Sequence, residues 1–309
     1  MSSKKRFKAQ KTHSGEMLKL TPDRSDNKQY INWFPGHMHK ALKQIQSKLK
    51  MVDLVLEIRD ARVPLTSSNF ALDDILGTKQ RLIVFNKANL ANPEKTILWQ
   101  EYFRKNGVDF IFINALDKNS INSIVAKAKN SIQVNYLKEN PDGLPKEKKA
   151  MMIVGLPNTG KSTLINRMAK RDATRTADRP GQTQVQQWIK IEPGFELLDT
   201  PGVMPPKIEN EEKGIWLGAV HAIPSKIVGH ETIACYLTKY FLEKRNEKFK
   251  KLYLLENFDL DYLEALEKIG KVRKCLIKGG EIDYERVYKI IVQDFRNGKY
   301  GNITFEIPT

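Results

Sequence analysis

The octapeptide Gly155-Leu156-Pro157-Asn158-Thr159-Gly160-Lys161-Ser162 decides the fold of this chain. In the pattern GxxxxGKS, backbone N–H groups of a glycine-rich turn surround a nucleotide β-phosphate, the Lys reaches the β- and γ-phosphates, and the Ser hydroxyl binds Mg²⁺. Such a turn follows a strand and opens a helix, and the apolar run 150–154 and the helical pattern 162–169 supply both. The stretch predicts a phosphate loop whose nucleotide contacts are Pro157, Asn158, Thr159, Gly160, Lys161, Ser162 and Thr163, with Lys161 also catalytic.

Two further motifs follow the loop at usable spacing. The polar stretch 179–183 places Thr183 where a switch loop could present it to Mg²⁺. The apolar run 195–198 ends in Asp199-Thr200-Pro201-Gly202. An Asp at the end of a strand can hold the Mg²⁺ shell, and a Gly just beyond lets a backbone N–H approach the γ-phosphate. Ser162, Thr183 and Asp199 are therefore the predicted Mg²⁺ residues, and Gly202 is a predicted γ-phosphate contact.

A base-recognition block lies upstream of the phosphate loop. The run 81–85 predicts a buried parallel strand, and Asn86-Lys87-Ala88-Asn89 stands at its end, where α/β folds place ligand contacts. The next predicted strand, 110–113, ends in Asn114-Ala115, which could offer a backbone N–H to the base carbonyl. Because loops on one edge of a parallel sheet assemble the site, this order of motifs can be permuted without losing the chemistry. Asn86, Lys87, Asn89, Asn114 and Ala115 are the predicted base contacts.

The order of motifs resembles that of the circularly permuted GTPases. Asn32-Trp33-Phe34-Pro35-Gly36-His37-Met38 is similar to the N-terminal signature of the ribosome biogenesis GTPase A family. The similarity continues from residue 31 to the C-terminus through the stretches 60–64, 178–181, 186–188 and 279–284.

That resemblance implies an α/β fold. A circularly permuted P-loop GTPase domain over 31–222, a mostly parallel sheet with helices on both faces, would follow a basic extension 1–30. A small α-helical RNA-binding domain would occupy 223–309. The implied function is hydrolysis of GTP to GDP by an assembly factor of the large ribosomal subunit, bound to rRNA in the GTP state and released on hydrolysis.

The motif set lacks the water-positioning Gln that many GTPases carry just after Asp-x-x-Gly. The residue at that position is Val203, and a hydrophobic side chain cannot orient water. The resemblance implies that the role passes to His37, although His37 could instead pack against or cap the following helix. It also implies that Asn158 helps to hold K⁺ against the phosphates; the other reading is an ordinary turn residue.

One residue departs from the family pattern, because the base motif ends in Asn89 where Asp is expected. A carboxylate accepts from both the N1–H and the exocyclic amine of guanine, while an amide offers one neutral oxygen. The loss of charge-assisted acceptance costs about 1.5–3 kcal/mol. Asn89 therefore leaves open a P-loop NTPase of relaxed base specificity acting on other RNA. A second alternative is a nucleotide-sensing RNA-binding scaffold without significant turnover.

Composition favours a polyanionic partner. The chain has 52 Lys and Arg against 36 acidic residues, a net charge of +16. Residues 1–50 hold 12 of the basic and 3 of the acidic residues; the other interpretation of residues 1–30 is a solvated tail. A second basic group, Lys271, Arg273, Lys274 and Lys278, accompanies helical patterns over 260–269 and 287–295. The family resemblance implies that the polyanion is the large-subunit precursor with its rRNA; no DNA is expected.

The remaining features set limits on location. No apolar run approaches the roughly 18 residues of a membrane span, so no membrane insertion is expected. The two cysteines, Cys235 and Cys275, have no CxxC partner and are most simply reduced thiols. A bacterial cytoplasmic location is predicted, with a mitochondrial one as the alternative because the N-terminus is Lys-rich and free of acidic residues through Gly15.

Overall fold

The computed structural model describes residues 36–169, 187–205, 208 and 210–308 of the 309-residue chain. Within these ranges the strands form a six-stranded sheet in the order β3-β2-β1-β4-β6-β5. The strands are β1 (Leu54–Asp60), β2 (Arg81–Asn86), β3 (Phe110–Phe112), β4 (Lys149–Gly155), β5 (Gln187–Glu192) and β6 (Phe195–Asp199). All neighbouring pairs are parallel except β5 with β6. The predicted α/β class is confirmed.

Helices cover the sheet and extend beyond it. Before the phosphate loop lie α1 (Gly36–Lys48), α2 (Phe70–Leu76), α3 (Pro93–Lys105) and α4 (Lys118–Glu139). After it come α5 (Lys161–Met168), α6 (Glu211–Ala219), α7 (Ser225–Val228), α8 (His230–Glu243), α9 (Glu247–Leu252), α10 (Tyr262–Val272) and α11 (Tyr284–Arg296). Short 3-10 turns occupy Leu49–Met51 and Ala88–Leu90. Polar N-cap side chains begin several helices: Asn92 accepts from the Lys95 N–H, and Asp117 from the Ser120 N–H.

The two faces of the sheet follow from the alternation of side chains along β4. Met151 and Ile153 pack into one apolar cluster together with Leu164 of α5, whereas Met152 and Val154 point into the other. A parallel strand buried on both faces needs such a continuous apolar run, because helices cover it on each side. A third cluster, centred on Phe85, packs β2 against α3.

The larger cluster does not stop at the sheet. It joins β4 through α6 to the C-terminal helices, and Leu217 of α6, Phe241 of α8 and Ile291 of α11 are all fully or almost fully buried in it. α8 and α11 are neighbours, as are α8 and α10. The boundary predicted between residues 222 and 223 therefore falls inside a continuous apolar core, and it stays a prediction.

The carboxyl ends of the parallel strands meet at one edge. Asp60 of β1 lies opposite Asn86 of β2, and Ile58 of β1 lies opposite Gly155 of β4. The base-recognition block and the phosphate loop are thus neighbours across β1, despite their order in the chain. No helix in the described part of the chain is both long and apolar enough to cross a membrane.

Candidate functional site

Two glycines allow the phosphate loop to turn between β4 and α5. Gly155 has φ +143°, and a methyl group there would overlap the carbonyl oxygen of Ile58 on β1. Gly160 has φ +99°, and a methyl group there would overlap the Nδ2 of Asn86. Both positions combine a backbone conformation that L side chains rarely adopt with a close neighbour, so each requires glycine. The loop is packed tightly against the two strands on its base-recognition side.

Lys161 opens α5 and is buried inside the loop. Its Nζ donates to the carbonyl oxygens of Leu156, at 2.7 Å, and of Gly155, at 3.3 Å. Burial lowers the pKa of Lys161 to about 8, while the nearby Asp199 carboxylate opposes that shift. The first N–H groups of a helix have no intrahelical acceptor and favour an anion. The ammonium and these N–H groups together form a positively polarised cradle.

Asp199 stands at the end of β6, beside the cradle. Its side chain is buried, and its Oδ2 has no hydrogen-bond partner among the described residues. Burial raises the pKa of Asp199 to about 6, against the lowering effects of Lys161 and of the Thr200 N–H. An unsatisfied buried carboxylate oxygen fits a residue whose partner is a cation.

The other predicted Mg²⁺ residues stand as follows. Ser162 lies in the first turn of α5, and Thr183 lies outside the described residues. The described residues contain no group of three His, Cys, Asp or Glu that could hold a metal. A carboxylate with hydroxyl and phosphate oxygens is the donor set that Mg²⁺ takes at nucleotides. Ser162 and Asp199 fit such a site.

Gly202 approaches the loop from β6. A methyl group on Gly202 would lie 3.0 Å from the Pro157 backbone and 3.1 Å from the Lys161 Nζ, which leaves little room for a side chain. Val203, the next residue, is buried in the core, with its N–H on the Gly155 carbonyl at 3.2 Å. Because the Val203 side chain is buried and apolar, it cannot bind or orient a water molecule.

Asn86 joins the base-recognition block to the phosphate loop. Its Nδ2 donates to the Thr159 carbonyl at 2.8 Å, and its Oδ1 accepts from the N–H groups of Lys87, at 2.8 Å, and Ala115, at 2.9 Å. The side chain is buried, so these bonds are shielded from water. Three segments that are distant in sequence are fixed relative to one another by one amide.

Lys87 makes the second connection to the loop. Its Nζ donates to the Asn158 carbonyl at 3.0 Å and pairs with the Asp60 carboxylate at 3.0 Å. Asp60 also receives a two-point contact from Arg62, both bonds being 2.9 Å. Burial alone would raise the pKa of Asp60, but Arg62 and Lys87 more than offset it and hold that pKa below its usual range. The carboxylate stays charged and keeps Lys87 against the loop.

The remaining predicted base contacts differ in their surroundings. Asn89 is exposed on the 3-10 turn that follows β2. The Asn114 N–H donates to the Ser120 hydroxyl, at 3.3 Å, and the Ala115 N–H donates to Asn86. The carbonyl of a bound base could accept from either N–H only by sharing or replacing its present hydrogen bond. All three residues lie at the same sheet edge as Asn86.

The side chain of Asn158 contacts the segment just after α6, whereas its backbone carbonyl contacts Lys87. It has φ +53°, and its Nδ2 donates to the His221 carbonyl at 3.0 Å, just beyond α6. Arg296 of α11 donates to the preceding carbonyls of Gly218, at 2.6 Å, and Ala219, at 3.0 Å. The end of α6 therefore accepts bonds from the phosphate loop and from the C-terminal helices. With its nitrogen engaged, the amide oxygen of Asn158 is the atom left to face a cation.

His37 lies in the first turn of α1, which begins at Gly36, and its side chain is outside the described part of the chain. The sequence indicated no role for Asp60 or Arg62 beyond family resemblance, and none for His221. Asp60 ends the strand pattern 54–60, as Asp199 follows the run 195–198, and this position was a usable signal. No sequence signal pointed to His221, because it accepts the Asn158 hydrogen bond through its backbone carbonyl.

The chain is similar to known GTPases in sequence and in structure. Residues 150–255 match the family model described as 50S ribosome-binding GTPase. Ribosome biogenesis GTPase A of Bacillus licheniformis is 40% identical over 90% of this chain and 98% of that protein. Mitochondrial ribosome-associated GTPase 1 of Mus musculus is 32% identical over 89% of each chain. The GNP-bound structure of YlqF from T. maritima superposes with a TM-score of 0.60, at 29% identity, over 87% of this chain and 98% of that one. With base block and phosphate loop joined at one edge, and relatives matched over nearly their whole length, the chain belongs to the ribosome biogenesis GTPase A family.

Proposed function

We propose that this GTPase, whose family acts in ribosome assembly, is an assembly factor of the large ribosomal subunit that binds rRNA in its GTP state and leaves on hydrolysis. One observation carries the nucleotide assignment. The Asn86 amide donates to the Thr159 carbonyl at 2.8 Å, which sets the base-recognition block against the phosphate loop. A nucleotide spanning both would place its phosphates on the N-terminus of α5 and its base near Asn89.

The residues present divide the chemistry of hydrolysis among them. Lys161 and the first N–H groups of α5 neutralise phosphate charge as it develops. Asp199 and Ser162, with Thr183, would hold Mg²⁺, and the Asn158 oxygen would face K⁺. When bound, these cations supply charge that stabilises the transferred phosphoryl group. His37 would orient the attacking water, since Val203 is buried in the core.

The partner follows from charge and from the relatives. A net charge of +16 favours a polyanion, and the matching family model is named for binding the 50S ribosome. The second basic group, Lys271, Arg273, Lys274 and Lys278, lies between α10 and α11 or at the end of α10. A bacterial cytoplasmic location is supported by the bacterial relative at 40%, against 32% for the mitochondrial one.

Single-turnover GTP hydrolysis with and without purified large subunits tests the proposal. We expect slow basal turnover and strong stimulation by subunits, with association that weakens steeply as salt rises. His37→Ala should bind nucleotide normally but lose about 10²-fold or more of the stimulation. A His37→Ala protein stimulated like the parent would refute the catalytic role.

The same assay separates the alternatives. If large subunits stimulate GTP hydrolysis by neither the parent nor His37→Ala, the ribosomal assignment is wrong. If the parent binds GTP but does not hydrolyse it under any condition, the chain is a nucleotide-sensing scaffold. Competition among GTP, ATP and XTP tests the base. Equal competition would mean relaxed specificity, to which Asn89 is the predicted contributor.

A further inference from the structure

The C-terminal segment 302–306 lies along the loop that leads from β2 to α3. The Asn302 Nδ2 donates to the carbonyls of Asn89 and Ala91, each at 3.1 Å. Between them, the Ile303 N–H donates to the Leu90 carbonyl at 2.9 Å. Three successive carbonyls of the base-recognition loop thus accept hydrogen bonds from residues more than 200 positions later in the chain.

The segment is anchored beyond this contact as well. The Thr304 hydroxyl accepts from the Asn92 N–H at 3.0 Å, and Thr304 is buried. The Glu306 carbonyl accepts from the Trp99 indole N–H at 3.2 Å. The Glu306 carboxylate accepts from the Thr66 N–H and hydroxyl, at 3.1 and 2.8 Å. The segment is therefore held to the nucleotide-binding part of the fold along its length, and its position is well defined.

The two ends of the loop are held by the fold: the Ala88 N–H donates to the Ile113 carbonyl at 2.9 Å, and Ala91 is buried. Residues 88–90 form a single 3-10 turn, closed by the bonds Leu90 N–H to Lys87 carbonyl, 2.8 Å, and Ala91 N–H to Ala88 carbonyl, 3.2 Å. Asn89 is exposed, so packing does not fix it. Short 3-10 turns have poorer hydrogen-bond geometry than α-helices. The bonds from the C-terminal segment act on the same backbone that carries the predicted base contact.

We propose that the C-terminal segment positions the guanine-recognition loop, with Asn302 as the positioning residue for Asn89. The inference rests on the proposed function in so far as Asn89 faces the base. Asn302 acts through Asn89: it holds the carbonyl of Asn89 and so limits where the Asn89 side chain can reach. A contact between the far end of the chain and the base loop also makes nucleotide dissociation sensitive to anything that displaces residues 302–306.

The test compares Asn302→Asp with the parent. Aspartate has the same shape but cannot donate to the two carbonyls. We expect GDP to bind about three- to tenfold more weakly, mainly through faster dissociation of a fluorescent GDP. The preference for GDP over IDP, which lacks the exocyclic amine, should narrow. Thr304→Val, which removes the acceptor of the Asn92 N–H, should act in the same direction.

Two controls separate positioning from a general loss of structure. Asn297→Ala removes an exposed amide that accepts from Gln293 at the end of α11, and it should leave GDP binding unchanged. Inorganic tripolyphosphate, which engages only the phosphate loop, should bind the parent and Asn302→Asp equally. Unchanged GDP affinity in Asn302→Asp, or equal loss of both ligands, would overturn the inference. A parent protein that fails to bind GDP would instead overturn the proposed function.

Discussion

Replacing Gly160 with alanine tests the packing of the phosphate loop against the base-recognition block. Gly160 has φ +99°, and a methyl group there would overlap the Nδ2 of Asn86. That nitrogen donates to the Thr159 carbonyl at 2.8 Å, so Asn86 cannot move without losing the bond. The substitution therefore carries two separate costs: backbone strain at position 160 and displacement of a buried amide.

The displacement of Asn86 costs as much as the backbone strain or more. A left-handed conformation costs a residue with a Cβ about 1–2 kcal/mol. Displacing Asn86 breaks the bond to Thr159 and disturbs the N–H groups of Lys87 and Ala115, at about 0.5–1.5 kcal/mol for each bond. We expect Gly160→Ala to lower the free energy of unfolding by roughly 2.5–6.5 kcal/mol. In an Asn86→Ala background, where the overlapping atom is gone, it should cost only the roughly 1–2 kcal/mol of strain.

Urea unfolding of the nucleotide-free parent, both single variants and the double variant gives the coupling between the two sites. Gly107→Ala is a matched control, because Gly107 has φ +65° and a methyl group added there would meet nothing within 4 Å. It should show strain alone, about 1–2 kcal/mol. If the Gly160 and Asn86 substitutions are additive, the loop does not pack on Asn86 as the structure shows.

Three further predictions concern single residues of the site. Asn89→Asp should tighten GTP and GDP binding by about 1.5–3 kcal/mol and weaken XTP binding, because it restores a charged acceptor; equal or weaker GDP affinity by titration would show that Asn89 does not face the base. GTP hydrolysis should be faster in K⁺ than in Na⁺ at matched ionic strength, and Asn158→Ala should erase the difference; identical parent rates in both salts would remove K⁺ from the mechanism. Burial raises the pKa of Asp199 from 3.8 to about 6, so the folded protein binds this proton more tightly than the unfolded chain. Its contribution to stability is complete below pH ~4 and is lost as pH rises through about 6. The unfolding free energy of Asp199→Asn relative to the parent should therefore rise by roughly 1–3 kcal/mol between about pH 4 and 7, and a pH-independent difference would contradict the assigned burial.

Local patterns in the sequence determined the elements of this protein. The run 81–85 predicts the strand that the structure extends to Asn86, and 150–154 predicts the strand Lys149–Gly155. The phosphate loop was predictable because its chemistry is contained in eight consecutive residues that need only a strand before them and a helix after them. These features depend on periodicity and glycine placement, which act over a few residues.

Only the tertiary structure decided which distant groups meet. The Asn86 amide and the Thr159 carbonyl are 73 residues apart, and the Asn302 amide reaches a carbonyl 213 residues away. Several of these contacts use backbone carbonyls, namely those of Thr159, His221 and Asn89. Every residue type has such a carbonyl, so no sequence pattern predicts which ones accept these hydrogen bonds. Burial of apolar faces places β4, α6 and α11 around one core, and polar groups brought close by that packing must then find partners. Which polar groups become hydrogen-bond partners is decided by the packed structure. Hydrophobic burial is non-directional, so no local sequence pattern indicates these pairs.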